Sequence, residues 1–208
     1  MNTFVTSDLH LGHGKEFLYK SRGFDSIEEH DRTLVKNWNE TVSADDTVYI
    51  LGDIMLKHTL EDTEFEYGLS LLRRLNGKLI IIRGNHDSMD KLERYKTCPN
   101  VIRADLDALY LNYPEVGSYH FYLSHYPCLV SQAKLKPVKT ALINLFGHTH
   151  QKETFFTDPG VCEGRFANGH PYMYHVGMDS HNMRPARLDD IIEDVRRKRA
   201  EYHDETPR

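Results

Sequence analysis

Leu79-Ile80-Ile81-Ile82-Arg83-Gly84-Asn85-His86-Asp87 decides how this chain is read. Four apolar residues, three of them β-branched, make a buried strand. The run stops at a glycine and delivers an amide, an imidazole and a carboxylate in direct succession. A Gly-Asn turn leaving the core would by itself explain such a sequence. The same arrangement recurs at four other places, however, and polar groups at the C-terminal ends of strands are where open α/β sheets put their sites.

Around this strand the chain reads as alternating units. Thr3 to Thr6 is a short strand ending in Ser7-Asp8-Leu9-His10-Leu11-Gly12-His13. Ser26 followed by Glu29 is a capping-box signature, and Leu34, Val35, Trp38 and Val42 then recur at helical spacing. Thr47 to Leu51 is a second strand, leading into Gly52-Asp53. Phe65, Leu69, Leu72 and Leu75 mark another helix, with Gly77 expected as its C-terminal cap. Strand, helix, strand, helix, strand at this spacing predicts parallel pairing. A short helix is expected near Met89 to Tyr95, then strands at Val101-Ile102, Leu106 to Leu111 and Tyr119 to Leu123, with turn material at 113–115 and 117–118. Ser124-His125-Tyr126-Pro127 follows. A buried strand from Ala141 to Phe146 ends in Gly147-His148-Thr149-His150. Asp158 to Gly169 is read as a loop, Tyr172 to Val176 as a late strand, and Leu188, Ile191, Ile192 and Val195 as the face of a closing helix.

The 208 residues suffice for one domain, 1–208, with a sizeable core, and 39% hydrophobic with 27% charged residues fits a globular protein. The net charge of −5 gives no overall attraction to nucleic acid or anionic membrane. No signal-peptide pattern or membrane-length apolar run is evident, and Cys98, Cys128 and Cys162 match no metal pattern. They read as reduced thiols, so a cytoplasmic location is expected. Histidine is the oddity: there are 13.

Five strands thus each end in metal-competent residues: Asp8 and His10, Asp53, Asn85, His125, and His148 with His150. Carboxylate, imidazole and amide donors make a mixed N/O set suited to Mn²⁺, Fe or Zn²⁺, without the thiolates of a structural zinc site. Seven ligands exceed what one catalytic metal needs. A carboxylate shared by two metals accounts for the number, and Asp53 is the acid suited to bridge.

These blocks, in this order, resemble the calcineurin-like metallophosphoesterase superfamily. The resemblance implies an α/β fold, a four-layer α/β/β/α sandwich with two facing sheets and a dinuclear site on one edge. It implies that one metal takes Asp8, His10, Asp53 and His150, and the other Asp53, Asn85, His125 and His148. His86 would face the substrate, supported by Asp87. Members acting on phosphoproteins continue the second block as Asp-Arg-Gly. Here it reads Gly52-Asp53-Ile54-Met55-Leu56-Lys57, without that arginine, which argues against a phosphoprotein substrate. Leu11-Gly12-His13, Asn37-Trp38-Asn39 and Arg184-Pro185 look like a compact bacterial and phage branch.

The expected activity is phosphodiester hydrolysis on nucleotide-like small substrates. A hydroxide shared by two divalent ions, Mn²⁺ first with Fe, Zn²⁺ or Ni²⁺ as alternatives, would attack phosphorus while His86 assists the leaving oxygen. A phosphomonoesterase, a nuclease and a non-catalytic scaffold are the alternatives. His13 and Asp179 are further candidates to line the substrate side, with His175 and His181 behind them. His30, His58, His120, His170 and His203 carry no functional expectation. Lys134, Lys136 and Lys139 make a thin case for a nucleic-acid groove, and Arg196-Arg197-Lys198-Arg199 reads as a solvated helix face. No membrane partner is expected, and the chain is read as a monomer or small homo-oligomer.

Overall fold

A computed structural model of the chain describes residues 1–56, 63–113, 119–128, 142–158, 160, 162 and 168–204. Strands β1 (Thr3–Thr6), β2 (Thr47–Ile50), β3 (Lys78–Ile82) and β4 (Val101–Leu106) lie parallel in that order, and the two-residue β10 (Ala186–Arg187) adds antiparallel to β1. The alternation with α2 (Ile27–Thr41), α3 (Thr63–Leu72) and α4 (Met89–Tyr95) is the expected parallel unit. A second sheet runs β5 (Ala108–Tyr113), β6 (Tyr119–Ser124), β7 (Leu142–Phe146), β9 (His170–His175), β8 (Phe155–Phe156). Within it β6, β7 and β9 are parallel and the two outer pairings antiparallel. Helix α1 (Glu16–Ser21) precedes α2, and α5 (Leu188–Asp204) closes the chain. The result is a mixed α/β fold with two sheets and helices.

Strand alternation sorts the core into two apolar layers. Phe4, Val48, Ile50, Leu79 and Ile81 point to one face of the first sheet and pack with Leu34, Trp38, Phe65, Leu69 and Tyr95 of the helices. Their neighbours Val5, Leu51 and Ile82 point the other way, into a core shared with Phe121, Leu123, Ile143 and Leu145 of the second sheet. The apolar stripe of α5, Leu188, Ile191, Ile192 and Val195, joins this inter-sheet core. At the start of α2, Ser26 Oγ accepts from Glu29 N–H at 3.2 Å, while the Glu29 carboxylate reaches back to Asp25 N–H at 3.1 Å. The Arg184 guanidinium donates to Asn37 O at 3.2 Å and Thr41 Oγ1 at 3.0 Å, and Trp38 Nε1 donates to Asn76 O at 2.9 Å. Two of the three branch-like fragments therefore meet each other across α2.

The structure departs from the sequence reading in several places. The stretch Leu106 to Leu111 is not one strand: Leu106 and Leu109 both face the inter-sheet core, a change of parity that no continuous strand allows. The chain crosses from one sheet to the other at Asp107. Gly77 lies beyond the end of α3, where its φ of +98° turns the chain into β3 instead of capping the helix. The six-residue α1, β8 and β10 went unread because elements so short carry no periodicity. Lys134, Lys136, Lys139, His58, most of the turn at 113–118 and part of the 158–169 loop lie outside the described residues. Among the described residues no helix is long and apolar enough to cross a membrane. Cys98 and Cys162 are buried, Cys128 is half-buried, and all three are free thiols.

Candidate metal centre

The strand ends expected to carry the site do converge. Past the sheets, the loops bond directly to one another: Asp8 N–H to Gly52 O at 3.0 Å, His10 N–H to Asp53 O at 3.0 Å, and Gly147 N–H to His125 O at 3.0 Å. Asp8, His10, Asp53, His148 and His150 all adopt left-handed backbone, with φ between +49° and +68°. Non-glycine residues enter that region rarely and cluster in it at functional sites. Gly84 has to be glycine because a Cβ there would overlap the Asp53 carboxylate. A Cβ at Gly147 would stand 2.6 Å from Asp8 Oδ2.

Two groups of candidate ligands result: Asp8, His10 and His150 in one, Asp53, His125 and His148 in the other. Within each, one donor atom per residue lies within 4.8 Å of the others. Asn85 joins the second group, its Oδ1 standing 2.7 Å from His125 Nε2 and 2.9 Å from His148 Nδ1. Asp53 links the two. Its Oδ1 accepts from His86 N–H at 2.9 Å, while Oδ2 stands 3.9 Å from His10 Nε2 and 3.5 Å from His125 Nε2.

The donor chemistry fits cations. His125 donates from Nδ1 to Leu51 O at 2.8 Å, which turns Nε2 toward the group. Burial, followed by the Arg22 charge, holds His10 well below the usual imidazole pKa, so its ring stays neutral, and its Nδ1 is buried without a hydrogen-bond partner. Burial likewise lowers His148, with His125 adding to the effect. Burial pushes Asp53 up to about 6 despite His125 nearby, and the Asp8 and Asp87 charges add smaller pushes the same way. Positive charge placed between these groups would offset that cost of burying a carboxylate.

The remaining expected residues fall in distinct positions. The side chain of His86 is 31% exposed, with Nε2 3.9 Å from Asp53 Oδ2 and its ring edge-on to His10. Asp87 is buried, and its carboxylate accepts from Asp53 N–H at 2.7 Å, Gly84 N–H at 3.0 Å, Ile54 N–H at 3.3 Å and Tyr95 O–H at 3.0 Å. These four bonds fasten the Asp53 loop, and none involves the His86 ring. His13 is buried against His10, its Nδ1 accepting from Lys15 N–H, and burial lowers it to about 4.

Asp179, expected on the substrate side, sits behind His150 in a 3-10 turn after β9, accepting from His150 Nδ1 at 2.9 Å and from Arg22 Nε and Nη2, both at 2.9 Å. Burial alone would raise this acid, but the bonds from His150 and Arg22 hold it well below the carboxylate range. Arg22 was missed altogether. Its side chain is 2% exposed, donates to Asp8 O at 2.7 Å and meets His30 Nε2 at 2.9 Å, so His30 is no bystander either. His175 and His181 do not reach the groups directly. His175 Nδ1 faces Ser180 Oγ at 2.9 Å, and His181 Nε2 faces His175 O at 3.0 Å. In the basic run of α5, Arg197 pairs with Asp194 at 2.6 Å and Arg199 covers the Tyr172 ring, as a packed helix face would.

Beside the second group opens a cleft of about 470 Å³, its walls including Asn85, His125, Tyr122, Tyr126, Arg83 and Asp107.

Comparison with known proteins agrees with this geometry. A protein of Mycobacterium phage D29, described as a gene 66 protein, is 31% identical over 93% of this chain and 96% of its own length. An uncharacterized protein of Methanocaldococcus jannaschii is 42% identical over 40% of this chain. That alignment spans 46% of the archaeal protein, and one with a gene 66 protein of Mycobacterium phage L5 spans 43% of the phage protein, so the chain matches under half of either. Among solved structures, a protein of unknown function from Aquifex aeolicus shares the fold, with a TM-score of 0.62, 18% identity, and coverage of 92% of this chain and 98% of that one. The model of the calcineurin-like phosphoesterase family matches residues 1–194, and the chain belongs to that family.

Proposed function

We propose that this phosphoesterase is a dinuclear enzyme that hydrolyses phosphodiesters of small, nucleotide-like molecules, with one metallophosphoesterase domain over residues 1–208 carrying the whole site. The observation that carries the dinuclear reading is Asp53. One of its oxygens is held by His86 N–H, and the other lies between an imidazole of each group, 3.9 Å and 3.5 Å away. Asp8, His10 and His150 would hold one ion, Asn85, His125 and His148 the other, and Asp53 both. Mn²⁺ suits this N/O donor set, as do Fe, Zn²⁺ and Ni²⁺. When bound, two such ions supply Lewis acidity that activates water and neutralises charge on phosphorus.

The chain's own residues divide the remaining work. Asp87 and Tyr95 keep the Asp53 loop in register. Asp179 holds the Nδ1 proton of His150 and so directs its Nε2 inward. His86, partly exposed at the open side of the centre, is placed to give a hydrogen bond or a proton to the departing ester oxygen. The cationic side chains around the centre, among the described residues, support the diester preference. A terminal phosphate dianion calls for a guanidinium clamp. Arg22 is committed to Asp179 and backbone carbonyls, and Arg83 is paired with Asp107 at 2.8 Å.

Two measurements test the reading. Metal analysis after Mn²⁺ loading and desalting should find two ions per chain. Hydrolysis of bis(p-nitrophenyl) phosphate should exceed that of p-nitrophenyl phosphate in the same buffer. One ion per chain would end the dinuclear reading, and a preference for the monoester would end the diester one.

A further inference from the structure

The cleft beside the second group is not used by the chemistry above, and its walls are specific. Tyr126 is half-exposed, with its ring edge-on to His148 at 4.6 Å and to His125 at 5.1 Å between centroids. It is thus anchored on two candidate ligands while part of its ring remains open to solvent. Tyr122 supplies a second aromatic wall, and Asn85 brings the cleft to the edge of the second group. Arg83 and Asp107 line it too, paired at 2.8 Å, with side chains 40% and 76% exposed. That pair offers donors and an acceptor side by side.

Size and sign narrow the occupant. Small-molecule sites occupy roughly 300–1,000 Å³, and the 470 Å³ here suits one nucleoside-sized group. A second cavity, about 270 Å³ beside Gly12 and Gly14, is lined by Glu28 and Glu64, and two carboxylates disfavour an anionic ester there. A flat heteroaromatic ring stacks on tyrosine, and its polar edge matches a mixed donor and acceptor wall.

We infer that this cleft is a subsite for a nucleobase-bearing ester substituent, with the base against Tyr126 and its polar edge toward Arg83 and Asp107. The inference rests on the phosphoesterase reading for its phosphate anchor, and it adds the substituent that the enzyme selects.

The test is calorimetric binding of AMP and of ribose 5-phosphate to Mn²⁺-loaded protein, two ligands that differ only in the base. Wild-type protein should bind AMP about tenfold tighter, the scale of one base stacked on one aromatic side chain. Tyr126→Ala should bring the two affinities within about twofold, and Tyr126→Phe should keep the difference. Ala108→Phe, which adds bulk at another lining position of the cleft, should erase it with Tyr126 itself unchanged. Equal binding by wild-type protein, or a difference that survives both Tyr126→Ala and Ala108→Phe, overturns the subsite. Hydrolysis of bis(p-nitrophenyl) phosphate by the wild-type protein is scored separately. Turnover without base discrimination sinks the subsite alone, whereas Tyr126-dependent discrimination without turnover leaves the subsite and removes the parent reading.

Discussion

Replacing Asp179 by asparagine isolates the control of one candidate ligand by a residue that does not reach the metal centre. The Asp179 carboxylate takes three donors: Arg22 Nε on Oδ1, and Arg22 Nη2 and His150 Nδ1 on Oδ2, each at 2.9 Å. An amide has one acceptor oxygen. With that oxygen toward Arg22 Nε, its NH₂ faces Arg22 Nη2 and His150 Nδ1. His150 can then pair with it only by shifting its proton to Nε2, the atom that faces Asp8 and His10. With the amide turned over, His150 keeps a weaker neutral acceptor and a donor confronts Arg22 Nε. Both arrangements degrade His150 as a ligand. Loss of such a partner typically weakens metal binding about 10–100-fold, or roughly 1.4–2.7 kcal/mol. The second group has no contact with Asp179, so its affinity should hold within about twofold. Arg22 retains the Asp8 and Leu9 carbonyls, so the fold should survive with a modest loss of melting temperature. Titration with Mn²⁺, following free ion by paramagnetic resonance, separates the two steps. Two wild-type dissociation constants would refute the reasoning, as would equal weakening of both.

Three further outcomes are expected. Asp53→Ala should release both ions, because both groups lose the same oxygen, and a variant that keeps two ions would remove the bridging role. His86→Ala should retain two ions by metal analysis while turnover on a bis-aryl phosphate falls roughly 10²–10⁴-fold; loss of metal would make His86 a ligand. In metal-free protein, burial lowers His175 to about 4 despite the nearby Asp8 and Asp179 charges, so the fold prefers the neutral ring. Its contribution is complete above the unfolded value near 6.5 and is lost as pH falls toward 4, about 3 kcal/mol in all. Urea denaturation at pH 7.5 and 4.5 should therefore show a steeper loss for wild-type protein than for His175→Gln, and parallel losses would refute the assignment.

What the sequence disclosed, it disclosed through residue types that have few other uses in those places. Apolar runs ending in Asp, Asn or His name both a strand and the edge where it stops, and five of them sufficed to bring the site together. The supporting residues were hidden for an equally physical reason. Arg22 lies on no strand end and repeats at no spacing, and its partner Asp179 is 157 positions away in sequence. An arginine becomes a buried positioning group only when a distant carboxylate closes on it, and nothing local records that. Asp87 misled differently. Next to His86 it looked like that histidine's partner, but successive residues point apart, and its carboxylate turned to the backbone of the neighbouring loop.

The left-handed residues join the two kinds of information. Asp and His tolerate that backbone better than branched residues do, but they do not demand it. Each such residue costs on the order of 1–3 kcal/mol unless its surroundings fix it. Asp8, His10, Asp53 and His148 are fixed by bonds that run between loops: Asp8 to Gly52, His10 to Asp53, Asp53 N–H to Asp87, and His148 N–H to Asp8 Oδ2 at 3.0 Å. Every one of these bonds joins one protein group to another, so the framework of loops is what aims the donors. The strain is carried by two apolar layers and a web of backbone bonds, and the imidazoles and the shared carboxylate stand already in position around the centre. A site of that kind weakens at one metal position through a single wrong tautomer without losing its fold, which is why Asp179→Asn is the substitution that separates metal affinity from stability.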